Sequence, residues 1–444
     1  MIPKPTERTG RLVRVSAQSL LVDVGDCLGS FVPACDVSSL CAGDFVSLSL
    51  HGETESSCRV VDNVALLARP EGVGEGFPSL NGDYLRINRD RRRQLLVQRA
   101  NILAEIRCHF AERNFLEIEA PIVVPSPGLE LHLQGFSVSD ATGGVARKYL
   151  ITSPEYQLKR LLCAGFQRVF GLGKVFRSGE AGPWHNPEFT MLEWYRAYEG
   201  WEEVAQDVAT LCNRLATSLY GDPCFVRHID GKPHLVDLSL PWKTQTVREV
   251  VREHAGIDLR GDETVEELLS KMREAGLRIP QPTRTSESGE PIFAWDDLFF
   301  SVFLDHVEPK LATVDAVDRK DSQGVVRPVI VCEWPAPLCA LARKKNGNPA
   351  VVERFEAYVG GLELCNGFGE LCDPREQRDR FVRDVAERQK RGLPEYPIDE
   401  RFLDALREGM PPSGGVALGV DRLLMLLLDV SHIRDVLPFA FDEL

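Results

Sequence analysis

Long apolar runs are missing: no stretch of eighteen or more uncharged apolar residues occurs in the 444 positions, so no membrane-crossing helix is expected. Paired cysteines are missing too. The chain has twelve Cys, yet none stand in a CxxC spacing, the usual sign of a zinc ribbon. Free thiols in a reducing cytoplasm are the expectation. Positive charge is in deficit, with 52 Lys and Arg against 66 Asp and Glu, a net charge of −14. That argues against indiscriminate binding to nucleic acid, which needs surplus cations, while leaving room for a local basic groove. The first ten residues carry charges and Pro but no apolar stretch, so no secretory signal is expected. What remains, 43% apolar and 27% charged, is ordinary globular composition, long enough for two or three domains and one large core.

Residues 11–69 read as five short strands, near 11–15, 20–24, 31–33, 45–50 and 60–67, punctuated by Gly25, Gly29 and Gly43. Five strands in so short a segment predict a small β-barrel of the OB type, and an SH3-like barrel would give the same pattern. With residues 1–72 assigned to the barrel, the Gly-, Pro- and Asn-rich stretch that follows reads as a linker over 73–94. A helix is predicted from about residue 89, with Leu96, Ala100, Leu103, Ile106 and Phe110 at three-or-four spacing. Further helices are predicted near 155–163, 247–253, 265–275, 295–305, 374–391 and 419–428. Polar segments at 314–326 and 343–349 are expected to be exposed. Strands and helices do not alternate regularly over 95–444, which predicts an α+β domain with an antiparallel sheet flanked by helices.

Three constellations carry chemistry. Phe176-Arg177 ends a strand-like run, and a polar, Gly-bearing loop leads to His185-Asn186-Pro187-Glu188-Phe189. Arg at one side for a phosphate and an aromatic at the other for a base suit a nucleotide. Alone, the pair reads rather as a surface ion pair and a core ring. The second is Glu356 and Glu363 around Gly360-Gly361, a strong hairpin signal that sets Tyr358 opposite Glu363 and Glu356 diagonal to it. Two close carboxylates suit Mg²⁺ shared with phosphates, or lie on a solvated face. The third is the Gly-rich run 414–419 leading into a helix with Arg422 in its first turn, where glycine allows close approach of backbone to a nucleotide, or else packs a strand–helix junction with Arg422 in a salt bridge.

In this order the three resemble the motifs of class II aminoacyl-tRNA synthetases, with Glu117-Ile118-Glu119-Ala120-Pro121 similar to motif 1. The segments 153–160, 185–195 and 363–370 resemble the lysine subgroup. The segments 334–343, 391–399 and 409–411, and Ala417 where synthetases usually keep Gly, look closer to the truncated paralogues that join lysine, often its β-isomer, to a lysine side chain of elongation factor P.

That resemblance implies ATP as substrate, Mg²⁺ on Glu356 and Glu363, and catalysis by Arg177 and Arg422. ATP would also meet Glu180, His185, Asn186, Phe189, Glu363, Leu364 and Gly419. The amino acid would meet Ser153, Pro154, Glu155, Glu193, Tyr195, Asn366, Phe368 and Glu370, the last on its side-chain ammonium. The acceptor would be elongation factor P, with tRNA as the alternative and a homodimer as the assembly. A non-catalytic paralogue is a third reading, because Gly179 stands where the family has a Glu two residues after the motif 2 Arg. Glu180 follows it. The elongation-factor ligases also usually lack an N-terminal barrel. Residues 1–70 hold six Lys or Arg against eight Asp or Glu, a net charge of −2, which disfavours an anticodon reader.

Overall fold

In the N-terminal segment, alternating side chains turn Leu12, Leu20, Val22, Phe31, Val46, Leu48 and Val61 to one interior. The strands that carry them are Thr6–Val15, Leu20–Asp23, Leu28–Pro33, Phe45–Leu50 and Arg59–Ala68. In a computed structural model they close a barrel in the order first, second, third, fifth, fourth. The third and fifth strands pair in parallel and the other pairs are antiparallel. This connectivity is OB-like. The structure describes residues 6–25, 28–50, 59–70, 77–79, 82–88, 91–131, 133–139, 148–285, 289–311, 314–315, 324–338 and 340–444. Cys27, Cys58, Cys339 and most of the polar segment 314–326 lie outside them; the nine described cysteines are free. No described helix is long and apolar enough to cross a membrane.

The chain divides into two compact units, Met1–Gln94 and Leu95–Leu444. The segment read as a linker is folded where it is described. It carries the helix Asp83–Asn88. The Arg11 guanidinium lies 4.1 Å from the Phe77 ring centre and 5.5 Å from that of Tyr84. Counting Gly, Pro and Asn could not show this cation–π stacking, which supplies the packing.

In the second unit a nine-stranded sheet runs, in spatial order, through Lys243–Thr246, Val329–Pro335, Asn348–Val359, Leu362–Gly369, Ser413–Gly419, Glu188–Ala197, Arg168–Phe176 and Leu116–Glu117, with Lys344–Lys345 on the side of Asn348–Val359. Its interior pairs are antiparallel and its two edge pairs parallel. The Gly360-Gly361 turn has φ of 58° and 80°, the left-handed pair that a two-residue hairpin of this type requires. Tyr358 faces Glu363 as expected, and a bulge follows at Ala357.

Alternation gives the sheet two different faces. Along Glu188–Ala197, Leu192 and Trp194 enter a large core with the helices Arg92–Ala111, Trp201–Tyr220 and Val420–Leu427. Met191 and Glu193, pointing the other way, line a cavity. Val325 and Val326, expected to be exposed, are buried and pair in parallel with Leu235 and Val236.

Candidate active site

The cavity measures about 1210 Å³. Every residue expected at the site lines it except Pro154, Tyr195 and Glu370. Its parts differ sharply in charge.

At one end, antiparallel pairing of Arg168–Phe176 with Glu188–Ala197 leaves 177–187 as a loop. Arg177 follows the strand, its guanidinium 5.2 Å from the Phe189 ring centre, and its Nε is buried without a hydrogen-bond partner. Gly179 adopts φ of 82°, a conformation that disfavours a side chain although space there is open. The next residue, Glu180, lines the cavity. Arg422 donates to His185 Nε2 at 2.5 Å and approaches Glu363 Oε2 at 3.4 Å. Burial first, then the Arg422 charge, hold His185 below its ordinary pKa, so the ring accepts. Asn186 is engaged locally: Nδ2 donates to the Glu188 carbonyl (2.6 Å) and Oδ1 accepts from Phe441 N (3.0 Å). It shapes the loop.

Asp421 was not singled out from the sequence. Fully buried, it accepts from Arg99 (2.5 Å) and from the Thr190 amide (2.7 Å), tying the start of the Arg422 helix to the strand beneath the cavity. Two glycines of the run 414–419 are hemmed in by the protein itself. A Cβ on Gly414 would lie 2.2 Å from the Gly200 carbonyl oxygen, and one on Gly415 would meet the Tyr195 ring at 2.2 Å and Glu370 at 2.4 Å. Those two glycines make room for the protein's own packing.

The opposite end is acidic. Ser153 donates to Glu193 (2.6 Å) and accepts from the Glu155 amide (3.1 Å), while Tyr195 donates to Glu193 (3.1 Å). Pro154 caps the helix Glu155–Cys163. Ala417 pairs with both Glu193 and Asn366, and Asn366 Oδ1 is buried without a partner. Glu370 is fully buried, 2.5 Å from Lys159 Nζ, and Lys159 also pairs with Glu155. Glu370 therefore answers a resident ammonium group and does not line the cavity. Burial opposes that charge, but the two carboxylates outweigh it and hold Lys159 protonated.

Glu356 accepts from Arg354 (2.5 Å) and from the Tyr358 hydroxyl. Glu363 meets Arg422. Among the described residues no group of three or more His, Cys, Asp or Glu stands ready for a metal. Two carboxylates plus phosphate oxygens are a usual Mg²⁺ arrangement, and each carboxylate keeps a free lone pair, so the donor set fits.

The chain matches the family described as tRNA synthetases class II (D, K and N) over residues 79–443. It belongs to that family. The family match starts after the barrel strands. Among curated relatives, a protein of Haemophilus influenzae (strain PittGG) named elongation factor P–(R)-β-lysine ligase is 39% identical over 351 residues, 78% of this chain and 95% of that protein. Proteins of the same name from Edwardsiella ictaluri and Proteus mirabilis are 38% and 37% identical, covering 78% of this chain and 95% and 94% of their own lengths.

In this class II site, burial first and then Glu155 push Glu193 up to about 8. A Glu with a raised folded-state pKa binds protons that the unfolded state does not. The free protein therefore loses stability as pH rises from 4.5, the ordinary value, to about 8. An ammonium group bound beside Glu193 would relieve that cost. The rise in Tm caused by saturating lysine should grow over pH 6.5–8.5, read by differential scanning fluorimetry at roughly constant ionic strength. A lysine-induced shift independent of pH would show that Glu193 does not charge on binding.

Proposed function

We propose that the chain is an ATP-dependent, AMP-forming ligase that activates lysine or β-lysine and transfers it to a lysine side chain of elongation factor P. The observation that carries this reading is one cavity with Arg177 and Arg422 at one end and Glu155 and Glu193 at the other. The first pair suits a polyphosphate and the second a diammonium amino acid. The names of the relatives favour elongation factor P as acceptor.

In the first step a carboxylate oxygen of the amino acid attacks the α-phosphorus. The bond to the β-phosphate oxygen breaks, giving an aminoacyl-adenylate and pyrophosphate. Arg177 and Arg422 would stabilise the charge developing on the phosphates, and Phe189 would stack on the adenine. Mg²⁺ on Glu356 and Glu363 would neutralise phosphate charge. In the second step the acceptor amine attacks the acyl carbon, AMP leaves, and the amine loses a proton. No nucleophile of the protein is required; Ser153, Glu155, Glu193, Asn366 and Phe368 would orient the substrate. Glu180, turned to the cavity after Gly179, would supply the carboxylate that position 179 lacks. Leu364 and Gly419 would pack along the nucleotide.

A homodimer through the motif 1 segment is supported by Leu116, Ile122 and Val123, apolar yet 47–49% exposed. A tRNA acceptor is favoured by one observation, the OB-like strand order of the barrel, and disfavoured by its net charge of −2. The deciding experiment supplies labelled β-lysine and ATP with either elongation factor P or tRNA. Label on the protein and none on tRNA is the expected result. The reverse would make the chain a tRNA-charging enzyme, and no ATP–pyrophosphate exchange with any lysine isomer would make it a non-catalytic paralogue.

A further inference from the structure

Residues 127–131 and 133–135 lie against the acidic end of the cavity, which Glu130, Leu131 and Leu133 line. The buried Arg388 fastens them by donating to the carbonyls of Glu130 (2.9 Å) and Leu133 (3.1 Å), and Tyr396 Oη accepts from the Gly135 amide (2.9 Å). Gly128 turns the chain at φ of 113°, and the Glu130 carboxylate folds back over it, with Oε2 2.7 Å from where a Cβ of residue 128 would lie. Glu130 lines the cavity and is partly exposed there. Among the described residues no ion pair to its carboxylate is found.

The neighbouring charges do not balance. Lys159 pairs with Glu155 and Glu370, and Arg343 lies near Glu370, but among the described residues no ion pair reaches Glu130 or Glu193. A diammonium substrate supplies two positive charges. The position of each follows from the sheet. Glu188 pairs with Phe176, next to Arg177, and Glu193 lies five residues farther along the same strand, about 16 Å at strand spacing. Glu193 is therefore at the far end, where the terminal ammonium goes. The Ser178 amide, next to Arg177, donates to the Gln134 carbonyl (2.7 Å), which sets the loop of Glu130 beside the Arg177 end, where the reacting carboxylate must sit.

Resting on the proposed activation of a lysine isomer, we propose that Glu130 is a specificity-determining residue that holds the ammonium group nearest the reacting carboxylate. That group is what distinguishes lysine isomers from each other and from 6-aminohexanoate, which keeps the carboxylate and the terminal ammonium alone. Burial first, then Glu155, push the Glu130 carboxyl up to about 7, and a cation bound beside it would lower it again.

The test is ATP–pyrophosphate exchange by the full chain, with 6-aminohexanoate as a competitive inhibitor. Glu130→Gln should raise KM for the preferred lysine isomer roughly 10- to 100-fold, the range for one charged hydrogen bond. KM for ATP and the inhibition constant of 6-aminohexanoate should stay within about twofold of the unmodified protein. Glu130→Asp, which keeps the charge, should recover part of the loss and serves if the Gln variant is poorly folded. An unchanged lysine KM overturns the assignment, and so do equal losses for lysine and 6-aminohexanoate. Absence of exchange with every lysine isomer in the unmodified protein is a different result and removes the proposed function itself.

Discussion

Lys159→Met should destabilise the protein by about 3–5 kcal/mol near neutral pH, the cost of stranding buried charges by removing their partner. Lys159 and Glu370 are both 0% exposed, and Glu155 shares the same ammonium. Methionine fills nearly the same volume, so the loss reports charge more than packing. Even beside Lys159, burial pushes Glu370 up to about 7. Without the ammonium it rises further, and the variant's native state then takes up a proton that the unfolded chain does not. Stability of the variant should therefore recover as pH falls from about 8 towards about 5, where the neutral acid no longer needs a countercharge. Urea unfolding at both ends of that range measures this. Equal midpoints for variant and parent at the upper pH would show that Lys159 is not the countercharge of Glu370.

Arg177→Ala should slow adenylate formation by about 10²–10³-fold, the loss typical of removing one donor that stabilises developing charge. Arg177 borders the cavity with its buried Nε unpartnered, so its hydrogen-bonding capacity is unspent. Stacking against Phe189 orients the planar group, and a lysine lacks both the plane and the fork, so Arg177→Lys should not restore the rate. Exchange of pyrophosphate into ATP without any acceptor isolates this step. Full exchange with a loss confined to acceptor transfer would move Arg177 from the nucleotide to the acceptor.

Much of the site was legible because its signals are local. Two adjacent glycines specify a hairpin through their own backbone angles and set Tyr358 opposite Glu363, while the bulge at Ala357 moves Glu356 one residue on, opposite Asn366. The order of three short motifs carried the class II resemblance, and the cavity gathers nearly all of their residues. The helix Trp201–Tyr220 stands outside the sequence expectation although Val204, Val208, Leu211 and Leu215 keep helical spacing, a local signal of the same kind. The folded segment 77–88 had only a weak signal, because its contact with Arg11 lies far away in the chain.

The acidic end shows the division most clearly. The sequence by itself determined the kinds of group available: several Glu, one Lys in the same helix as Glu155, and glycines in the strand beneath. It also determined, through strand alternation, that Glu193 and Trp194 face opposite ways. Tertiary structure alone decided which carboxylate meets which cation. Lys159 takes Glu370, and Tyr195 and Glu370 fill the space a side chain at Gly415 would need. Glu130 reaches the cavity because Arg388 holds its loop there. Backbone preference acts within a few residues and can be read in order along the chain. Charge pairing in a buried site acts through space, between groups whose neighbours are set only when the sheet register and the packing of its helices are complete.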